Sequence, residues 1–528
     1  MGVTRLWEEF APQKSVSLAK LSQECMEKNG RPLRLAVDVF PRIFGDKGTT
    51  DAVRDSGGMN HAAKNVFYFA LHFLEAGVQP IFVYDGPNKP SLKRGEHHTY
   101  SSSNLGGRLA PAVALSSSTR TQADKDRDQS VEHVVRLTKD VFDAMGLPWL
   151  DAAGEGEAEC CALERLGLVD GVVTTDGDAF VFGGQNVLRL CNKKANETRR
   201  AEVYDAYCTA LGSTTGTRPT RGYFLLLALV AGGDYANGLP GCGPHVARRL
   251  YREFGTELDK IVDSNAPYKA KKVGAWSRQL PRKLEGCAFA DLGSLIEKLS
   301  EGFDQNVLQY YVSPAVHSES ELRKLVHSRT WTKATEIEKL RELTKKYFDW
   351  KGRDYARKFA NILGPPLLAK CLMNKGLGQL QPPLQKCQLQ LLKKRNTKDE
   401  ASSIKVSYHP EKLLGLNLSG EPDLPGYTRD FKFDPSITQP CFTPEWLIEY
   451  GARTQYEEWR HHSQGKKQPR KKGKKRALSE IDDVNVTNGA KPPQKKLYKS
   501  KSLSSALPSR VPDKRVVQVI DIDDFDFD

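Results

Sequence analysis

Residues 154–184 read GEGEAECCALERLGLVDGVVTTDGDAFVFGG and hold two carboxylate pairs, Glu157/Glu159 and Asp176/Asp178, each with one residue between its members. Between the pairs lie an apolar segment suited to one helix (Cys161, Leu163, Leu166), a turn at Gly167 and a β-branched run at residues 172–175. The pattern predicts helix, turn and strand, with Asp176 just past the strand's end. Side chains two apart on an extended loop point the same way, so Asp176 and Asp178 can face one site. On a regular helix Glu157 and Glu159 would diverge; they converge only at the first turn or just before it, and Gly154 and Gly156 favour such a break. Four acids gathered in this way repel one another and need cations. Hard divalent metals such as Mg2+ or Mn2+ take oxygen ligands, and no His or well-spaced Cys in the stretch suggests zinc. Taken alone, the stretch would equally suit an exposed acidic loop.

It does not stand alone. Residues 33–39 (LRLAVDV) form a short apolar run carrying Asp38, and residues 80–87 (PIFVYDGP) form a second one ending at Asp85. Helical stretches are expected at 62–76 and from Val131 to Gly146, where apolar positions recur at helical spacing. Three hydrophobic runs thus end in an acid, with helices between them. This alternation predicts an α/β domain with a mostly parallel sheet, in which ligands bind beyond the carboxyl ends of the strands. A turn or cap role would suit any one of these acids, but not their coincidence.

Residues 89–125, first charged and then rich in Ser, Ala and Gly, are expected to be a mobile loop beside the site. An apolar helix at 224–230 runs into Gly232-Gly233-Asp234-Tyr235, then a Gly-rich turn and a helix begun by Pro244. Such a helical hairpin, spanning about 222–255, can grip DNA: the small residues Gly238, Gly241 and Gly243 let the backbone approach phosphate, and Arg248 and Arg249 add a basic face. Residues 255–365 read as helical, with Trp276, Trp331 and Trp350 as packing aromatics. Residues 376–397 read as a linker. Short strands are expected at 404–408 and 428–433, then a helix over 444–450, in a small α+β module at 398–462.

The net charge of +14 is concentrated. Residues 464–502 carry thirteen basic and three acidic side chains, ten of the fourteen excess charges. This segment, with Lys471, Lys472, Lys474, Lys475 and Arg476 at its centre, suits a nuclear-import signal or a DNA tether, or a solvated linker. Residues 463–528 are expected to be disordered. Near the end, Val516, Val517, Val519 and Ile520 precede Asp521, Asp523 and Asp524. An isolated strand of this kind needs an external sheet edge, as a SUMO-interacting motif does; an acidic tail shielding the basic segment is the alternative. The ten scattered cysteines suggest reduced thiols in an intracellular protein, and no apolar run approaches the length of a membrane span.

Taken together, the Met-Gly-Val start, Asp38, Tyr84-Asp85-Gly86, Gly156-Glu157-Ala158-Glu159, Thr175-Asp176-Gly177-Asp178 and Gly232-Gly233-Asp234-Tyr235 resemble, in order and spacing, the flap-endonuclease-like (XPG) family of structure-specific nucleases. The resemblance covers roughly residues 1–350. Gly146-Leu147-Pro148-Trp149 and the small module are similar to the Holliday-junction resolvases of the GEN type, whose chromodomain the module matches in position. There Tyr408 and Trp446 could line an aromatic cage or simply pack a core. No sliding-clamp-binding peptide of the flap-endonuclease kind is evident near the C-terminus.

The resemblance implies a PIN-like nuclease core at residues 1–375. It implies two Mg2+ ions (or Mn2+) held by Asp38, Asp85, Glu157, Glu159, Asp176, Asp178 and Asp234. Lys93 matches a lysine that contacts the scissile phosphate, and the family's following arginine could be Arg94, Arg108 or Arg120. The hairpin would bind duplex, often with K+. The implied enzyme is an endonuclease of DNA recombination and repair that cuts Holliday junctions as a dimer; the basic segment adds the nucleus as its place, and the C-terminal segment suggests SUMO or a SUMOylated protein as a further partner. A 5′-flap or excision-repair nuclease is the alternative, and a DNA-binding scaffold without catalysis is a third reading.

Overall fold

The computed structural model describes residues 2–4, 6–9, 14–44, 60–90, 122–190, 200–205, 220–264, 267–285, 292–396, 400–424 and 433–465. Its centre is a seven-stranded sheet of β1 (Lys14–Ser17), β2 (Leu33–Asp38), β3 (Val78–Tyr84), β4 (Trp149–Asp151), β5 (Gly171–Val173), β6 (Asn186–Leu190) and β7 (Arg200–Asp205), in the order β1-β7-β6-β5-β2-β3-β4. The five strands from β6 to β4 run parallel, whereas β7 and β1 add antiparallel at one edge. The parallel α/β expectation holds.

Along the central strands, alternate residues enter two different cores. Leu35, Val37, Phe82 and Tyr84 join one cluster, and Ala36, Ile81, Val83 and Val172 join the other. A sheet buried on both faces in this way needs continuous apolar strands, which explains the unbroken runs in the sequence. Helix α1 (Leu18–Asn29) follows β1. On the first face α2 (Asn60–Glu75) and α3 (Gln122–Met145) pack, with Phe142 stacked on Phe82 at 3.9 Å. The other face carries α4 (Gly156–Arg165) and the hairpin of α5 (Arg221–Ala231) and α6 (Pro244–Val262). Residues 269–347 are mostly helical, including α7 (Gln305–Val312) and α8 (Glu319–Ser328). Trp276 and Trp350 are buried; Trp331 is half-buried, with the Arg34 guanidinium over its ring.

The C-terminal part departs from expectation. The linker read at 376–397 holds the end of α9 (Gly352–Gly376), a helical turn at Pro382–Lys386 and strand β8 (Gln390–Arg395). That strand pairs with β9 (Ser403–Tyr408), and β9 pairs with β10 (Gln439–Pro444). The expected strand at 428–433 lies almost wholly outside the described residues; the third strand is β10, whose Pro440 is tolerated because β10 is a sheet edge. The helix expected at 444–450 forms at Glu445–Gly451. The module has no separate core: Ile404, Val406, Tyr408 and Ile448 share one cluster with Phe67 of α2 and Leu368 of α9.

Candidate active site

The parallel strands deliver their acids to one edge. Asp38 is the last residue of β2, Asp85 follows β3, and Asp176 lies three residues past β5. Asp38, Glu157, Glu159, Asp176 and Asp178 are each less than a tenth exposed, a concentration of buried carboxylates that an ordinary surface does not show. Glu157 and Glu159 occupy the first turn of α4, the one placement that lets them converge, and there the helix dipole favours negative charge.

Hydrogen bonds fix individual acids of two adjoining groups. In the first, the Gly156 N–H donates to Asp85 Oδ1 at 2.8 Å. Thr174 Oγ1 donates to Asp38 Oδ2 at 2.9 Å and accepts from the Asp176 N–H at 3.1 Å, joining this group to the next. In the second, the Asp178 N–H donates to Asp176 Oδ1 at 2.9 Å, and the Gly2 N–H donates to Asp234 Oδ1 at 2.9 Å. Gly2 has φ +80°, and any side chain there would collide with Asp176 Oδ1. Ligand oxygens of Asp176, Asp178 and Asp234 all lie within 4.8 Å of one another, a spacing that fits a divalent cation. Asp38, Asp85, Glu157 and Glu159 fall outside that triad and line the neighbouring group.

Two buried groups register these fields. The Cys160 thiol is pushed well up, by burial first and then by Asp38, Cys161, Glu157 and Glu159. The Tyr311 hydroxyl is raised well above its usual value, by burial first and then chiefly by Asp178, with Asp234 and Asp176 adding to it.

Residues that sequence reading passed over also reach the site. Lys89 Nζ lies 2.5 Å from Asp85 Oδ2. His317 Nδ1 lies 2.7 Å from Glu159 Oε1. Lys89 had a signal, four residues after a strand-end acid at the start of the expected loop, whereas His317 had none. Lys93, Arg94, Arg108 and Arg120 lie outside the described residues, as do the basic cluster at Lys471, Lys472, Lys474, Lys475 and Arg476 and the Val516–Ile520 segment. Tyr408 and Trp446 form no cage: Tyr408 is buried against Gly364 of α9, and Trp446 covers Gly77 in a separate cluster.

In the hairpin, Asp234 sits in the connection between α5 and α6, so one element carries both an acid of the candidate metal site and the candidate DNA grip. Gly238 has φ +74°, and a Cβ there would come within 2.8 Å of the Gly232 nitrogen. Gly243 precedes Pro244 at the start of α6, where no side chain caps the helix, and the space around it is open. Arg248 and Arg249 follow on the same helix, both half-buried.

A doubly covered parallel sheet with carboxylates massed at its carboxyl edge, next to a helical hairpin, defines a metal-dependent nuclease of the PIN-like class. The XPG I-region family model matches residues 146–234, a span that begins at the end of α3 and ends at Asp234. Flap endonuclease 1 of Glycine max is 26% identical over 322 residues, covering 59% of this chain and 81% of that protein. The crystal structure of the Holliday junction-resolving enzyme GEN1 in complex with product DNA and Mg2+ matches with a TM-score of 0.63 at 25% identity, over 88% of this chain and 100% of that one. The eukaryotic junction-resolving enzyme GEN-1 binding with potassium matches with the same score, identity and coverage. The chain is similar to the flap-endonuclease-like (XPG) family of structure-specific nucleases, with an architecture like that of the GEN-type resolvases.

Proposed function

We propose that this chain is a divalent-metal-dependent endonuclease that hydrolyses phosphodiester bonds in branched DNA and resolves Holliday junctions. The observation that carries the reading is the place of Asp234: it groups with Asp176 and Asp178 and also lies in the turn of the helical hairpin, so a cation held there and a duplex held by the hairpin would be brought together by one element. Asp176, Asp178 and Asp234 would hold one cation, and Asp38, Asp85, Glu157 and Glu159 a second. Bound there, Mg2+ or Mn2+ would lower the pKa of the attacking water and offset charge in the transition state.

The chain's own residues do the rest. Thr174 and the Gly156 N–H fix the rotamers of Asp38 and Asp85. Lys89 holds Oδ2 of Asp85 and brings positive charge to the acids; Lys93 would contact the scissile phosphate, as the family resemblance implies. The open backbone at Gly243 and the arginines of α6 receive the duplex flank. A junction presents two equivalent scissile strands, so two molecules acting as a pair give symmetric incision. The hairpin turn also suits K+, the ion in one of the similar structures. The basic cluster at 466–476 suits nuclear import, and residues 516–520 suit β-strand addition to SUMO.

The test is cleavage of four-way junctions and 5′ flaps side by side, with and without Mg2+, scoring paired incisions. Metal-dependent paired cuts in the junction are expected. Flap cutting without junction cutting would favour the 5′-flap reading, and binding without cutting of either would favour a scaffold.

A further inference from the structure

The Glu159 carboxylate is fully buried, and the donors that fix it come from two directions. The Ala153 N–H, from the segment leading into α4, donates to Oε2 at 3.4 Å. From the other side His317 donates twice: its backbone N–H bridges both oxygens at 3.3 and 3.4 Å, and its ring Nδ1 reaches Oε1 at 2.7 Å. His317 belongs to no element of the sheet. It lies near the end of a six-residue strap, 313–318, that joins α7 to α8 in the helical lobe following the hairpin.

The strap is anchored at both ends. At its start, Arg221 of α5 donates Nη2 to the carbonyls of Tyr311 and Val312 at 3.3 and 3.2 Å, and its Nε to the Val181 carbonyl at 2.8 Å. At its finish, Ser318 and Glu321 form a reciprocal capping box that fixes the first turn of α8. Midway, a side chain on Gly154 would come within 2.7 Å of the Ala315 carbonyl, so the strap lies directly on the chain that enters α4. Tyr311, at the end of α7, accepts a 3.4 Å hydrogen bond from the Tyr235 N–H, next to Asp234. The same lobe therefore reaches Glu159 directly and, at Tyr235, the neighbour of Asp234.

We propose that His317 is a positioning residue of the metal centre: it holds the Glu159 carboxylate in one orientation and ties that orientation to the helical lobe that follows the hairpin and is anchored to it through Arg221. A glutamate has three side-chain torsions, and an unfixed one would spend binding energy on being ordered each time a cation arrived. Outer hydrogen bonds of this kind to metal-binding side chains typically change metal affinity or activity by about 10–100-fold. The inference rests on the metal-nuclease reading above.

The experiment uses the full chain without DNA. Free Mn2+ is followed by electron paramagnetic resonance during titration, and thermal melting is recorded in EDTA. His317→Ala should weaken Mn2+ binding by about 10–100-fold while leaving melting in EDTA unchanged. His317→Asn, whose side-chain amide can stand in for Nδ1, should recover most of the affinity. If His317→Ala fails to fold, His317→Leu, which fills the space without a donor, replaces it and should show the same loss. Wild-type affinity in the Ala or Leu variant overturns the proposal, and so does an Asn variant as weak as Ala. Failure of the wild-type protein to bind Mn2+ overturns the metal reading and this inference with it.

Discussion

Asp38 and Asp178 make the sharpest residue-scale test, because Asn keeps the shape of each side chain and removes only its charge. Asp38 Oδ2 accepts from Thr174 and could still do so as an amide oxygen, so Asp38→Asn leaves the local bond in place. Either substitution should lower cleavage by roughly three orders of magnitude, about 4 kcal/mol of charge stabilisation at the transition state. Junction binding measured in Ca2+ should stay within a few-fold of wild type. Cleavage within a few-fold of wild type in either variant would take that residue out of the site. At this scale the acids were legible because each ends an apolar run or sits beside another acid. His317 was not, since its partner is Glu159, 158 positions earlier, and only the strap between α7 and α8 closes that distance.

At the scale of elements, the hairpin separates two uses of glycine. Gly238 needs its positive φ, whereas Gly243 has extended backbone and open space around it. Gly238→Ala should therefore destabilise the fold by about 1 kcal/mol or more. Gly243→Val should leave melting unchanged and weaken binding to every duplex-containing substrate alike, because contacts to the DNA backbone carry no sequence information. Loss of affinity for one substrate shape alone would make the turn a branch-recognising element instead.

Helix α9 offers a second test, since its Lys370 is buried and donates to the Met145 and Gly146 carbonyls and to Thr335. Burial lowers its ammonium from 10.5 to about 7. Between those values the unfolded chain binds more protons than the folded one, so this group's contribution to stability rises with pH across that window, by up to about 1.4 kcal/mol per pH unit. Lys370→Met should flatten the rise in denaturant melts taken from pH 7 to 10; an unchanged slope would show that the ammonium stays charged in the fold. The parallel strands were legible as unbroken apolar runs, but β8 was not. Its residues Gln390–Arg395 are almost all exposed and end in three basic side chains, the usual protection of a sheet edge and a poor strand signal. Nor could periodicity reveal that the small module shares its core with α2 and α9, because those contacts are long-range.

For the whole molecule, the question is what ten excess positive charges in residues 464–502 do to binding by a nuclease that must find branch points among far more plain duplex. Phosphate contacts release counterions, and each one steepens the fall of log affinity with log salt by about 0.9. If the segment is a tether, deleting 464–502 should reduce that slope by several units and weaken binding at low salt. It should do so equally for a four-way junction and a linear duplex, because phosphate contacts made by a basic segment carry no information about branch shape. The ratio of the two affinities should then stay constant while both fall. Cleavage at saturating substrate should be unchanged, since the acids, Lys89 and His317 all lie before residue 320. If instead the segment serves only import, the slope stays as in the full chain and nuclear accumulation alone is lost. A deletion that changes the junction-to-duplex ratio would mean that the segment reads branch shape, and the division of labour argued here would fail.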